Sequence, residues 1–177
     1  GMMEVWDVYD KERRKTGRTH VRGTPMAPGD YHIVTDIWTI NQAGKLLLTQ
    51  RHPQKTFGLW WECTGGSAQA GESSLESVLR ELSEEVGIHA CPEDVRLLHS
   101  VQRPERFVDT YVTIQNVTEK DLILQEEEVV DARFVTLEEV KELWGAGKML
   151  PRERFPMYVQ LLEAEVRKVL DSADNVK

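Results

Sequence analysis

Between Ser73 and Gly87 the apolar residues Leu75, Val78, Leu79, Leu82 and Val86 recur three and four positions apart, the spacing of one helix face. Ser73 followed by Glu76 is a capping-box signature and Gly87 supplies a stop, so a helix is predicted over Ser73–Val86. Thr136 with Glu139 repeats the cap ahead of LEEVKELW, and helical spacing of apolar residues from Arg152 to Leu170 predicts a third helix. Elsewhere the apolar positions fall in short β-rich runs. YHIVTDIWTI and KLLLTQR, separated by NQAG, predict a hairpin, and LWWEC, VRLLHSVQ, FVDTYVTIQNV and VVDARFV are further strand candidates. At the start, EVWDVYD and RTHVRG flank a turn-like KERRKTG as a short strand pair, and GTPMAPGD then breaks regular structure. The order describes an α/β chain with a mixed sheet and three helices.

The chain has 177 residues, enough for one domain with a real core. Its 40% apolar and 29% charged residues are those of a soluble globular protein, and no apolar run reaches membrane-spanning length. The first fifteen residues contain no apolar signal core, and Gly1 before a Met pair resembles a tag remnant. Cys63 and Cys91 are too few for a disulfide framework and match no paired metal-ligand spacing. A cytoplasmic setting with no membrane partner is therefore expected. The net charge of −8 argues against a nucleic-acid polymer as partner, because phosphate backbones demand a dominant basic surface. Small anionic ligands stay compatible with it, through a bound metal or through local basic groups. The basic run KERRKTGRTHVR reads as a solvated hairpin tip.

The predicted helix over Ser73–Val86 gathers Glu81, Glu84 and Glu85 on one stripe, since positions three and four apart are neighbours on its surface. Within the helix only Arg80 adjoins that stripe. Like charges at this spacing cost a few tenths of a kcal/mol per pair, roughly, and acids near the C-terminus also oppose the macrodipole. Two readings are open: a solvated face, or a cage for a hard divalent cation, which favours carboxylate oxygens.

The surrounding spacing carries a resemblance. Gly66, Glu72, Arg80, Glu81, Leu82, Glu84, Glu85, Gly87 and Ile88 match, position for position, the signature of the Nudix family, and the sequence looks like a Nudix hydrolase. The motif covers Gly66–Ile88, and a weaker likeness in element order runs over roughly Asp30 to Leu170. The resemblance implies an α/β/α sandwich with a mixed central sheet, residues 1–29 packing as a strand pair and loop on a Nudix domain of 30–177. It further implies Mg²⁺ or Mn²⁺ held by Glu81, Glu84 and Glu85 with the Gly65 carbonyl. Glu72 and Arg80 would orient these ligands, an arginine being able to fix a neighbouring glutamate by a forked hydrogen bond. The implied reaction is attack of a metal-activated water on one phosphorus of a nucleoside diphosphate derivative or related organic diphosphate.

A general base is expected from QEEEVVD, Glu128 before Glu126, against the alternative of a solvated loop. Arg51, Arg103 and Arg106 could bind phosphate, or lie idle at the surface. Trp60 and Trp61 are expected in the core rather than stacked on a base, His32 in a local hydrogen bond, and Cys63 in packing. The first residues also resemble the isopentenyl diphosphate isomerase branch of the superfamily. That branch's catalytic cysteine would fall at Gly65, and Cys63 lies two residues early, so the acid–base pair is not reproduced. A non-catalytic nucleotide-binding module would normally have lost a motif acid, and none is missing. Monomer and homodimer are equally compatible with the sequence.

Overall fold

The computed structural model describes residues 3–175, and Gly1 lies outside them. β1 (Val5–Tyr9) and β2 (Lys15–Val21) form a separate antiparallel pair. β2 begins inside the expected turn, because Asp10 Oδ1 accepts the amides of Glu12 and Arg14 and closes a tighter one.

The main sheet is mixed, with β3 (His32–Ile40) at its centre. One edge of β3 runs parallel to β8 (Arg106–Ile114), which pairs onward with β7 (Val95–Arg103). The other edge forks. Val34–Ile37 pair with β6 (Thr64–Ser67), whereas β4 (Leu46–Arg51) joins only through Ile40 and Leu46 before turning away to pair β5 (Trp61–Glu62) and β9 (Val129–Val135). The hairpin expected around NQAG therefore exists only beside its turn, the strands parting immediately after.

Side-chain alternation divides the core into two layers. Trp38, Leu46 and Leu48 face α2 (Leu137–Gly145) and α3 (Phe155–Asn175), while Ile37 and Leu47 face α1 (Ser74–Val86), whose Val78, Leu82 and Val86 are fully buried. The expected α/β/α sandwich is thus formed, each layer held by apolar burial at about 1.5–3 kcal/mol for every large side chain. Both predicted capping boxes are present, at Ser73 with Glu76 and at Thr136 with Glu139. α3 starts three residues later than periodicity predicts. Arg152 donates to the Trp144 carbonyl and Arg154 to Asp36 Oδ2, which holds that stretch in a non-helical course.

Candidate active site

α1 lies over β6, and Thr35 on β3 hydrogen-bonds Ser77 of the helix at 3.2 Å. This close approach depends on the glycine pair. At Gly65 a Cβ would meet the Thr35 carbonyl oxygen at 2.5 Å, and at Gly66 it would stand 2.5 Å from Glu81 Oε1. The absence of a side chain at 66 thus lets the Glu81 carboxylate rest against the strand.

The acidic stripe is not a solvated face. Glu84 is half exposed, but the Glu81 side chain is 15% exposed and Glu85 is buried. Arg80 links the set: its guanidinium donates to Glu72 Oε2 at 2.6 Å, to Glu81 Oε1 at 3.0 Å, to Glu84 Oε2 at 3.2 Å and to the Ser67 carbonyl. Burial lowers the affinity of Arg80 for its proton, but the surrounding carboxylates outweigh that and raise its pKa. Glu72 thereby acts through Arg80, and its other oxygen accepts the Gln69 amide.

Burial pushes Glu81 up to about 7 despite Arg80, and drives Glu85 well above the usual carboxylate range, with Glu62 and Glu81 adding to the rise. Among the described residues the Glu85 carboxylate has no ion pair and no hydrogen bond, and only desolvation and neighbouring charges act on it. No three acids yet converge on one point there, since Arg80 draws Glu81 and Glu84 to itself. Glu85 is 6% exposed, and its oxygens keep a trace of solvent contact; a largely buried carboxylate without a partner is still costly, and a divalent cation would supply the missing charge, for which carboxylates beside a backbone strand suit Mg²⁺ or Mn²⁺.

Glu128 is held by Lys55, and both lie in the electrostatic field felt by Glu85; Glu126 is exposed. Glu62 and Lys55 line a cavity of about 580 Å³ that runs past Gly65 and Gly66. Arg51, Arg103 and Arg106 line the same cavity. Arg51 is tied to Glu62 at 2.9 Å and Arg103 to the exposed Glu153.

Trp61 packs on the α2/α3 core with Arg133 over its ring, whereas Trp60 lies 4.8 Å from Phe57 in the preceding loop. Cys63 is buried in the same core, its thiol pushed far up by burial and then by Asp36. His32 departs from expectation: its ring stacks on Trp6 at 3.8 Å and 5°, and Nδ1 is buried without a hydrogen bond. The hairpin brings Trp6 there, a contact local sequence does not reveal. Two other groups were missed. Asp36 and Arg154 form a buried pair at 2.9 Å, and Asp109 accepts from Arg13, Ser74 and Ser100. Burial alone would raise Asp109, but those donors outweigh it and lower its pKa. Apart from Ser100, nine residues from Asp109 across the β7–β8 hairpin, their partners lie 35 to 118 residues apart, so spacing gave no signal.

The sequence model of the NUDIX domain matches residues 30–153. An uncharacterised Nudix hydrolase of Listeria monocytogenes is 39% identical over 151 residues, covering 84% of this chain and 89% of that protein. The isopentenyl-diphosphate Delta-isomerase of Salmonella typhi is 26% identical over 159 residues, covering 85% and 83%. The crystal structure of DR0079 from Deinococcus radiodurans superposes with a TM-score of 0.68 at 22% identity, over 82% of this chain and 91% of that one. No helix among the described residues is long and apolar enough to cross a membrane. With its glycine pair against the motif glutamates and more than half its length matched, the chain belongs to the Nudix family of hydrolases.

Proposed function

We propose that this hydrolase cleaves the diphosphate bond of a nucleoside diphosphate derivative or related organic diphosphate, with Mg²⁺ or Mn²⁺, in the cytoplasm. The observation that carries the reading is Glu85, a largely buried carboxylate without a partner beside Glu81, with cavity-lining Glu62 and Lys55 as charged neighbours. Glu81, Glu84, Glu85 and the Gly65 carbonyl would hold the cation. Once bound, it would neutralise charge developing on phosphoryl oxygens and make water more acidic.

The chain's own residues do the rest. Arg80, fixed by Glu72, sets the orientation of Glu81 and Glu84. Glu128 accepts a proton from the attacking water, with Lys55 holding it in place. Arg51 and Arg103 contact the substrate's anionic oxygens, for which their forked donors are suited. Isomerase chemistry has less support, because position 65 carries no thiol and Cys63, although it lines the cavity, is almost wholly buried with its proton held tightly.

A screen of nucleoside diphosphate derivatives and isoprenoid diphosphates, with and without metal, tests the reading beside Glu85→Gln. Turnover should require the metal, and the variant should lose at least about a hundredfold in kcat, in line with the loss of several kcal/mol of metal-borne stabilisation. Its melting temperature without metal should hold or rise, since the fold disfavours an ionised carboxyl at this position. Full activity in the variant would falsify the metal role.

A further inference from the structure

The cavity beside the glycine pair is strongly cationic in a chain of net charge −8. Most of its cations are engaged: Arg51 with Glu62 and Arg154 with Asp36, both at 2.9 Å, Arg22 with Glu4 at 2.8 Å, and Arg103 with Glu153. Arg106 differs. It lines the cavity, yet among the described residues it has neither an ion pair nor a hydrogen bond. Arg106 is exposed at the start of β8; partial burial, and then the charges of Arg154 and Arg103, lower its pKa against smaller opposing contributions from Glu153 and Glu105, so the fold gathers these guanidinium groups against their mutual repulsion. The pair beside it is weakly held, because Glu153 is 74% exposed and such contacts are worth little in water.

Strand register sets the scale. Gly65 lies opposite Asp36, whereas Arg106 lies opposite His32 on the other edge of β3. Four residues along β3, about 13 Å, and two strand spacings across it, about 10 Å, place those two positions roughly 16 Å apart. That is too far for one diphosphate to occupy both ends, but within the span of a diphosphate joined to a phosphorylated organic group.

We propose that Arg106, with Arg103 and Arg22, forms a subsite for a second anion, a phosphomonoester carried by the substrate's organic part. The proposal rests on the hydrolase reading of the glutamate site and narrows its substrate class. The diphosphate lies against Gly65 and Gly66 while the remote phosphate takes the fork of Arg106 and displaces Glu153 from Arg103.

Two measurements on the full chain test it. With EDTA present, inorganic phosphate should bind the wild type, bind Arg106→Gln at least about tenfold more weakly, and bind Arg106→Lys between the two, as loss of a charge-assisted hydrogen bond implies. Glu85→Gln should bind it like the wild type. With Mg²⁺, pairs of nucleoside diphosphate derivatives differing by one phosphomonoester should show higher kcat/KM for the phosphorylated member, through KM, and Arg106→Gln should abolish that preference. Phosphate binding that is absent, or indifferent to Arg106→Gln, overturns the subsite, as does a substrate pair hydrolysed without preference. If no pair is hydrolysed while phosphate still binds through Arg106, the hydrolase reading fails and the anion site stands.

Discussion

Replacing Gly66 with alanine should separate stability from activity. A Cβ there would lie 2.5 Å from Glu81 Oε1, 2.7 Å from its Cδ and 3.1 Å from Oε2. Comfortable contact needs about 3.5 Å, so the carboxylate must retreat by roughly 1 Å. It is the far end of a flexible side chain, and an off-rotamer displacement costs about 0.5–1.5 kcal/mol. Alanine also removes freedom from the unfolded chain, offsetting about 0.4–1 kcal/mol of that cost. Melting should therefore change by no more than about 4 °C for a chain of this size. At a metal-holding carboxylate, however, a misplacement of about 1 Å is worth about a hundredfold in rate. Gly65→Ala is the control: its Cβ would strike the Thr35 carbonyl oxygen and the Asp36 Cα, backbone that cannot step aside, and should cost about 1–3 kcal/mol of stability. The assay is thermal melting alongside Mn²⁺ titration calorimetry and steady-state turnover. A Gly66→Ala protein with wild-type Mn²⁺ affinity and kcat, or one that melts as low as Gly65→Ala, refutes the reasoning.

His32 predicts an acid-sensitive contribution to stability. Burial, with Arg106, His20 and Arg22, lowers its pKa to about 4 in the fold, so the unfolded chain takes up the proton first as pH drops. Its contribution is complete above about pH 6.5 and is lost as pH falls toward 4; denaturant melts of His32→Gln should show a shallower decline across that window, and parallel curves would count against it. Arg13→Ala should loosen the N-terminal hairpin. Arg13 grips Asp109 through two hydrogen bonds, 2.9 and 2.5 Å, and its side chain is 34% exposed, so the loss should be about 1–2 kcal/mol rather than that of a fully buried pair. Melting and limited proteolysis between β1 and β2 read it, and an unchanged melt with the hairpin still protected would sink it.

The legible parts of this protein are the local ones. The cap at Ser73, the apolar stripe and the glutamate spacing all lie within one helix, and helical periodicity converts them directly into a face. β9 was readable for the same reason, as VVDARFV spans Val129–Val135 without interruption. What stayed hidden depends on contacts across the chain. The fork in β3 follows from where β6 docks, and nothing in NQAG announces that β4 will leave its partner after one pair. The sequence lists Arg51, Arg103 and Arg106 as equals; only the fold pairs two of them and leaves the third without a carboxylate. Burial of Glu85 likewise depends on the turn that sends the Gln125 amide to the Glu85 carbonyl and brings Glu128 and Lys55 nearby.

The first strand pair is stitched to the loop that leads into the glutamate helix. The Ala70 amide donates to the Val5 carbonyl and the Gly71 amide to Asp7 Oδ2, both at 2.8 Å, just ahead of the cap at Ser73. The family match begins at residue 30, downstream of both donors' partners. A gene trimmed to that match would leave two amides without their acceptors and Asp109 without Arg13, though still held by Ser74 and Ser100, so ligand screens run on the shortened protein would sample a slackened cradle. Keeping everything from Val5 onward is the safer cloning choice.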